Sequence, residues 1–349
     1  MNIVLSIDAM GGDNAPRSVV EGLSLVVKKS GFNNKIKFNL FGDKNRVSKI
    51  VDEFPKLKKF ITITHCDKSV GGSESITSVV RYMHETSMFN AIKMVRDKKA
   101  QAIVSSGNSG VLMGLSKIAI STVAGIDRPA IITLIPTKKD FLSMLDLGAN
   151  LEVNEQQLID FAFLGATYAQ VINNKKHPIV NLLNIGTEES KGFKSIQNAN
   201  AILKENLSKL PFEYKGYIEP SKIFDGDTDV VATDGFSGNI SLKTMEGTAS
   251  FMKSLLKKAF MKNIFCKLVG LVSSIVLKPV LKRMDARQYN GAIFLGLKGM
   301  VVKSHGGSDA LGFSVAVEYA ISLIEKDFLK KLNENLKVRK ELSTNSISS

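Results

Sequence analysis

Apolar runs of the length of a β-strand alternate with helical patterns along almost the whole chain. The runs that predict strands cover residues 2–8, 36–42, 60–65, 102–106, 130–136, 141–148, 178–186, 229–235 and 300–307. Helical patterns begin at Pro16 and cover residues 153–172, 194–208 and 308–333. Strands that are separated by helices form a mostly parallel sheet with helices on both faces. The sequence therefore predicts an α/β fold with a three-layer α/β/α, Rossmann-like arrangement.

The same alternation continues without an internal boundary. No linker rich in proline, glycine or serine divides the 349 residues, and the hydrophobic content of 44% supports a sizeable core. We therefore expect one α/β body over residues 1–335, followed by a polar, frayed tail over residues 336–349.

One segment departs from the alternation, the apolar and basic stretch FMKSLLKKAFMKNIFCKLVGLVSSIVLKPVLKRMDAR at 251–287. It predicts a protruding amphipathic hairpin of two helices joined near Asn263 or Gly270. The longest uncharged run, 268–277, is too short to span a bilayer. Its apolar faces are edged by basic residues, namely Lys253, Lys257, Lys258, Lys262, Lys267, Lys278, Lys282 and Arg283.

Two interpretations of this hairpin stay open. It is either a core or dimer-contact element, or an interfacial element that lies on an anionic leaflet. The two are compatible if the hairpin projects from a dimer and its tip touches lipid. The candidate membrane contacts are Leu268, Val269, Leu271, Val272 and Ile275.

The net charge of +14 indicates an acidic partner, such as nucleic acid, an anionic membrane or an acidic protein, unless the lysines are only spread over solvated faces. No zinc finger, arginine-rich tract or RNA-binding aromatic box is present, so we expect no nucleic-acid partner. Cys66 and Cys266 lie far apart without metal-ligand spacing, which favours a reducing compartment. Asp8 interrupts the first apolar run before a signal peptide is completed.

Four predicted strands are followed by the same kind of turn, in which glycine stands beside small hydrogen-bonding residues and a predicted helix begins afterwards. The four turns are DAMGGD, SSGNSG, TDGFSGN and KSHGGS. Glycines let backbone N–H groups approach an anion, and a helix N-terminus adds a favourable dipole. Each turn alone is also explained as a tight connection, but four together predict a phosphate or other oxyanion site. The candidate binding residues are Asp8, Gly11, Gly12, Asp13, Gly107, Asn108, Ser109, Gly110, Gly235, Ser237, Gly238 and Gly306.

Established cofactor and nucleophile motifs are missing from the sequence. There is no GxGxxG after the first strand, no GxxxxGK[ST] and no GxSxG. The stretch DGDTDV at 225–230 lacks the glycine and the closing glutamate of a calcium loop, and HETSM at 84–88 lacks the second histidine of HExxH. The motifs therefore predict no nucleotide, calcium or zinc site.

The motifs occur in an order that resembles one family. The set comprises DAMGGDNAP at 8–16, SSGNSG at 105–110, LDLGAN at 145–150, LLNIGTEESKG at 182–192, DVVATDGFSGN at 229–239, LKTMEG at 242–247 and KSHGGS at 303–308. Together they resemble the bacterial phosphate acyltransferases of phospholipid synthesis (PlsX-type) over residues 2–335. The chain departs from the family at Ser109 and Ser237, where threonine is common, at Thr187, and at Phe89, where arginine is common.

The resemblance implies that inorganic phosphate attacks the thioester of a long-chain acyl-acyl carrier protein. Asn108 and the glycine turns would hold phosphate. Asn239 and Lys191 would stabilise the charge on the carbonyl oxygen, Asp234 would orient one of them, and His305 would assist the departing thiolate.

The resemblance also implies partners, a location, and a reaction that needs no metal and no organic cofactor. The partners are the acyl carrier protein, a second copy of the chain in a homodimer, an anionic membrane, and a downstream membrane glycerol-phosphate acyltransferase. The location is cytoplasmic, peripherally associated with the inner face of the plasma membrane. Two alternatives remain at this point: a phosphate acyltransferase that uses short acyl-CoA, and a non-enzymatic membrane scaffold.

Overall fold

The computed structural model describes residues 2–29, 35–283, 285 and 290–345. The described part does not include residues 284, 286 and 287 of the predicted hairpin or residues 346–349 of the predicted tail. It also does not include the side chains of Lys282 and Arg283. The side chains of residues 338–345 lie outside it as well.

Eleven described strands form one sheet in the order β3-β2-β1-β4-β11-β10-β5-β6-β9-β7-β8. The strands are β1 (Ile3–Asp8), β2 (Ile36–Gly42), β3 (Ile61–His65), β4 (Ala102–Ser105), β5 (Ala130–Pro136), β6 (Phe141–Leu145), β7 (Ile179–Leu183), β8 (Glu213–Ile218), β9 (Val230–Ala232), β10 (Ala292–Leu295) and β11 (Met300–Lys303). The pairs β11–β10, β10–β5 and β5–β6 are antiparallel and the others are parallel. The prediction of a mostly parallel sheet is confirmed.

Twelve α-helices are described around this sheet. They are α1 (Arg17–Lys28), α2 (Lys44–Val51), α3 (Pro55–Lys58), α4 (Ile76–Val79), α5 (Ser87–Arg96), α6 (Ser109–Ile120), α7 (Glu155–Ile172), α8 (Lys194–Glu205), α9 (Gly235–Met261), α10 (Ile264–Arg283), α11 (Ala310–Glu325) and α12 (Phe328–Asn345).

Two hydrophobic clusters, one on each face of the sheet, confirm the three layers. Within β4, Ala102 and Val104 belong to the cluster with Phe313 of α11, whereas Ile103 belongs to the cluster with Leu112 of α6. This alternation follows from the two-residue period of a strand, which sends successive side chains to opposite faces.

Several boundaries differ from the prediction. The predicted helix at 308–333 is two helices, because Asp327 has a φ of 51° and separates α11 from α12. α12 continues to Asn345, past the start predicted for the tail at 336. Strands β8 and β10 were not predicted: β8 is an edge strand with Lys215 and Gly216 in it, and β10 has only four residues.

The predicted hairpin is formed by α9 and α10 and projects from the body. The helices join at Lys262 and Asn263, and the Asn263 Oδ1 accepts a hydrogen bond from the Cys266 N–H at 2.8 Å. They contact where Gly270 faces Phe260, since a Cβ on Gly270 would lie 3.0 Å from the Phe260 side chain. The five candidate membrane contacts are 42% to 77% exposed.

Helix α10 is longer than the uncharged run at 268–277, which was judged too short to span a bilayer. The window Ile264–Leu281 has 18 residues and a mean hydropathy of 1.9, because the helix continues through Lys267 and Lys278. Within the described residues it is the one helix long and apolar enough to cross a membrane, by length and composition only.

Candidate active site

Three of the four predicted glycine turns meet at one edge of the sheet. Strands β1, β4 and β11 are neighbours and parallel, so the turns that follow them lie side by side. The Asp13 N–H donates to the Gly306 carbonyl at 2.9 Å, and a Cβ on Gly12 would lie 2.9 Å from the same oxygen. We call the residues Asp8–Asp13, Ser105–Gly110 and Lys303–Ser308 the turn cluster.

Asp8 lies behind the turn cluster and fixes its shape. The carboxylate is buried and accepts hydrogen bonds from the hydroxyls of Ser87 and Ser105, both at 2.7 Å. Burial raises the pKa of this carboxyl, while the hydrogen bonds act to lower it. A Cβ on Gly11 would lie 2.5 Å from the Asp8 Oδ2 and 2.7 Å from the Gly107 nitrogen, so only glycine fits at position 11. The structure therefore places Asp8 as a support for the glycine backbone.

The SSGNSG turn is held by contacts within the protein. The Asn108 Oδ1 accepts from the Val111 N–H at 3.1 Å, which caps α6, and its Nδ2 donates to the Gly72 carbonyl at 2.7 Å. A Cβ on Gly107 would lie 2.4 Å from the Met88 Cε, whereas Gly110 has nothing closer than 3.5 Å. Gly107 is therefore packed against the end of the Met88 side chain, while Gly110 and its exposed neighbour Ser109 open the first turn of α6 to solvent.

Lys303 and His305 bring ionisable groups to the turn cluster. The Lys303 Nζ donates to the carbonyl oxygens of Ser106, at 3.4 Å, and Ser304. Burial, followed by charge repulsion from Lys243, lowers the pKa of Lys303 to about 8, while Asp13 and Asp8 act to raise it.

The His305 ring is oriented by its own turn. Its Nδ1 accepts from the Gly307 N–H at 3.2 Å, which leaves Nε2 to carry the proton of the neutral ring. Burial, followed by Lys243, lowers the pKa of His305 below its ordinary value of 6.5. The ring is therefore neutral near pH 7. Lys303 was not predicted as a site residue, although it is the first residue of the predicted turn KSHGGS at the end of the apolar strand MVVK.

The fourth glycine turn lies at the opposite edge of the sheet, so the four turns that together predicted one oxyanion site do not all follow strands that end at the same edge. Three consecutive antiparallel pairs separate β11 from β9, so the two strands run in opposite directions. In this turn the Asp234 carboxylate accepts from the Ser237 N–H at 2.7 Å and caps α9. Gly235 donates its N–H to the Asn150 carbonyl at 2.7 Å, and a Cβ on Gly238 would lie 1.9 Å from the Asp146 carbonyl oxygen.

Helix α9 carries residues of the fourth turn toward the turn cluster. Asn239 lies against Gly148, where a Cβ would be 3.4 Å from the Asn239 Cγ. Lys243, four residues later on the same helix face, is near enough to lower the pKa of both Lys303 and His305. The turn cluster therefore lies on one side of the site, and the first turns of α9 lie on the other side.

The loop opposite Asn239 is fixed by Asp146. The buried carboxylate accepts from the Ile131 N–H at 2.9 Å, the Ala149 N–H at 3.1 Å and the Asn150 N–H at 2.7 Å. Burial raises the pKa of this carboxyl, and the hydrogen bonds lower it. Gly148 between these residues has a φ of +118°, a conformation that favours glycine.

Lys191 lies in the exposed loop after β7. Its carbonyl accepts from the Asn184 Nδ2 at 3.1 Å, and its Cγ would be 3.3 Å from a Cβ on Gly186. β7 ends at the same edge as β9, so Lys191 and Asn239 share that edge. The described contacts do not join the Lys191 side chain to Asn239, Asp234 or His305. Phe89 is buried against His84 at 5.0 Å between ring centroids and does not face the site.

The described part of the chain contains no preformed metal site. Among those residues, no group of three or more His, Cys, Asp or Glu side chains is arranged to hold an ion.

Comparison with known sequences identifies relatives over the full length. The sequence profile of the family described as "Fatty acid synthesis protein" matches residues 3–331. The phosphate acyltransferase of Rhodospirillum rubrum is 40% identical over 348 residues, which cover 99% of this chain and 98% of the relative. The phosphate acyltransferase of Caulobacter vibrioides is 40% identical over 336 residues, which cover 96% and 92%.

Comparison with solved structures supports the fold. A phosphotransacetylase from Streptococcus pyogenes superposes with a TM-score of 0.59 at 16% identity, covering 93% of this chain and 94% of that one. The EutD phosphotransacetylase from Staphylococcus aureus gives a TM-score of 0.55 at 15% identity, covering 96% and 94%. At this level of identity the likeness concerns the fold alone.

Proposed function

Because the chain belongs to the phosphate acyltransferase family and is an acyltransferase of lipid synthesis, we propose that it transfers a long-chain fatty acyl group from acyl-acyl carrier protein to inorganic phosphate. The product is an acyl phosphate, from which a membrane glycerol-phosphate acyltransferase transfers one acyl group to glycerol phosphate, the first of the two acylations that lead to phosphatidic acid. The observation that carries the proposal is the turn cluster, where three glycine-rich turns and the neutral His305 face Lys243 on α9.

The site suits a reaction in which phosphate itself is the nucleophile. A phosphate oxygen attacks the thioester carbonyl carbon, a tetrahedral oxyanion forms, and the carbon–sulfur bond breaks to release the carrier thiolate. No serine or cysteine nucleophile is needed, so the enzyme contributes positioning and charge stabilisation. Asn239 donates its amide N–H to the oxyanion, and Lys191 supplies positive charge from the same sheet edge.

Two further groups have supporting roles in this reaction. Asp234 positions Asn239 through the N-cap of α9, because its carboxylate holds the first turn of that helix. The neutral His305 ring donates from Nε2 to the departing thiolate. This assigns the phosphate to the turn cluster and the thioester to the space between the cluster and α9.

The experiment that tests the reaction is phosphate-dependent release of free carrier protein from palmitoyl-acyl carrier protein. We expect Asn239→Ala to lower turnover by about 100-fold or more, the usual effect of removing one oxyanion donor. Asn206→Ala is the control, because Asn206 lies at the end of α8 and its side-chain amide has only local partners, donating to the Ile202 carbonyl and accepting from the Lys209 Nζ. Equal turnover of the two variants would move the donor role to Lys191.

Two other functions remain alternatives to be excluded by the same assay. Faster transfer from a short acyl-CoA than from the long-chain carrier would favour the acetyl- or butyryl-type enzyme. No acyl phosphate from any thioester would favour a membrane scaffold. The exposed apolar hairpin supports the long-chain substrate, because an enzyme of short acyl groups needs no such surface.

For the location of the protein, we propose a cytoplasmic homodimer whose hairpin contacts the anionic inner leaflet. From Gly247 to Met284 the sequence contains eight lysine and arginine residues and no acidic residue. The double variant Leu268→Asp, Val272→Asp is expected to lose flotation with anionic vesicles and to keep turnover of soluble substrate. Flotation equal to wild type would argue against this contact.

A further inference from the structure

Lys303 is a half-buried cation without a carboxylate partner. Among the residues that the structure describes, its Nζ forms no salt bridge and donates only to the Ser106 and Ser304 carbonyls. An ammonium has three N–H donors, so one remains for another acceptor. Charged groups that are removed from water are normally paired with an opposite charge, which makes this arrangement unusual within the fold.

The position of Lys303 makes its free donor accessible to a ligand in the site. It ends β11, which pairs with the middle strand β4 of the three strands that carry the turn cluster, and its partner Ser106 belongs to the turn after β4. A Cβ on Gly306 would lie 3.7 Å from the Ser106 carbonyl oxygen, an ordinary contact distance, so the backbone beside Lys303 is not tightly packed at this position.

A second ammonium approaches from the other wall of the site. Lys243 on α9 lowers the pKa of Lys303 through charge repulsion, and it is itself paired with Glu246 at 2.7 Å. Asp13 and Asp8 oppose this effect from the β1 side. Two ammonium groups that repel each other across a gap are both stabilised when an anion lies between them.

We propose that Lys303 binds the inorganic phosphate nucleophile, with Lys243 contacting the same anion from α9. This inference rests on the proposed function and deepens it, since it names the side chains that hold the attacking phosphate. Lys303 neutralises the anion next to the glycine backbone, and Lys243 fixes it on the side that faces Asn239.

Kinetics with Lys303→Met separates phosphate binding from the chemistry. Methionine keeps the length of the side chain and removes its charge. We expect the KM for phosphate to rise about 10- to 100-fold, as for the loss of one charged hydrogen bond, while the KM for the acyl donor stays within about twofold. Lys303→Arg is expected to recover part of the phosphate affinity. Lys298→Met is the matched control, because Lys298 is an exposed lysine just before the other end of β11.

The pH profile gives a second readout. In the wild type, kcat/KM for phosphate is expected to fall above pH of about 8, because Lys303 then loses its proton. Lys303→Arg is expected to lack this fall, since arginine stays charged. The groups that face Lys303 are Lys243, Asp13, Asp8 and His305, and the lowered pKa of His305 places its titration below this range.

Calorimetric titration of the full-length protein with inorganic phosphate distinguishes the two proposals. Binding that is lost in Lys303→Met and kept in Lys298→Met supports the inference even if no thioester is turned over. Turnover with an unchanged KM for phosphate in Lys303→Met would overturn the inference and leave the reaction intact. Circular dichroism checks that each variant is folded, and the neutral variant Lys303→Gln replaces Lys303→Met in the titration if the methionine variant is not.

Discussion

Replacing Gly238 by alanine tests how firmly the start of α9 is clamped. A Cβ at this position would lie 1.9 Å from the Asp146 carbonyl oxygen and 2.9 Å from the Thr233 Cγ2. The Asp146 backbone has little room to move, because its carboxylate is fixed by the N–H groups of Ile131 and Asn150. The added methyl therefore displaces the helix.

The size of the effect follows from two opposing contributions. Overpacking of a tight site costs about 1–3 kcal/mol. Alanine in a helix interior recovers about 0.5–1 kcal/mol relative to glycine. We expect Gly238→Ala to lower the free energy of unfolding by about 1–2 kcal/mol. Gly247→Ala on the same helix is the control, because nothing lies within 4 Å of its Cβ position, and it is expected to stabilise by about 0.5–1 kcal/mol.

Urea unfolding followed by circular dichroism measures the difference, since the chain has no tryptophan to report by fluorescence. Turnover is expected to fall in Gly238→Ala, which shifts Asn239 and Lys243, and to be retained in Gly247→Ala. Equal unfolding midpoints for the two alanine variants would refute the clamp.

Three further predictions use the same measurements. In phosphate-free buffer at pH 7, Lys303→Met is expected to be more stable than wild type by about 1–2 kcal/mol, because burial holds the pKa of the wild-type ammonium near 8 instead of 10.5. This difference is full below pH 8 and disappears as the pH rises to 10.5, and a less stable methionine variant would contradict it. Asn108→Ala is expected to lose about 1–2 kcal/mol and to make the loop at Gly72 more sensitive to limited proteolysis, since the cap of α6 and the tie to that loop are both removed. Asp234→Ala is expected to lose about 1 kcal/mol and part of the turnover, whereas Asp234→Asn keeps both because asparagine caps a helix equally well; loss of turnover in the asparagine variant would instead give the carboxylate charge a direct role.

The local chemistry of the four turns was predictable from the sequence, and their neighbours in space were not. Glycine beside small polar residues predicted each strand end and helix start, because those residues encode a turn within a few positions. The order of the strands depends on pairings between distant segments. The two antiparallel pairs of β10 cancel, so the reversal between β11 and β9 comes from the antiparallel pair β5–β6, and the placing of that pair between the two strands is not visible in the sequence.

The roles of single residues were likewise predictable where their contacts are local in the sequence and not where the contacts join distant segments. Asp234 was predicted near a helix start and is the N-cap of α9, a contact that spans three residues. The support given by Asp8 to Ser87 and Ser105 joins segments 79 and 97 residues apart, so no local pattern reports it. Lys303 was missed for a related reason: a lysine that ends a strand is ordinarily exposed, and only the packing of three turns around it makes its charge unusual.

Helix α9 explains how a turn at the far edge of the sheet still contributes to the site. Its position is set at its start by the Asp234 cap and by the close approach of Gly235 and Gly238 to the loop at Asp146. Asn239 and Lys243 follow within two turns, before the helix leaves the body near Gly247, where a Cβ would meet nothing. Because the contacts that orient the two site residues all precede that point, the geometry of the site does not depend on the exposed hairpin. Substitutions in the hairpin are therefore expected to change the binding of membrane vesicles, while substitutions at positions 234–238 are expected to change turnover.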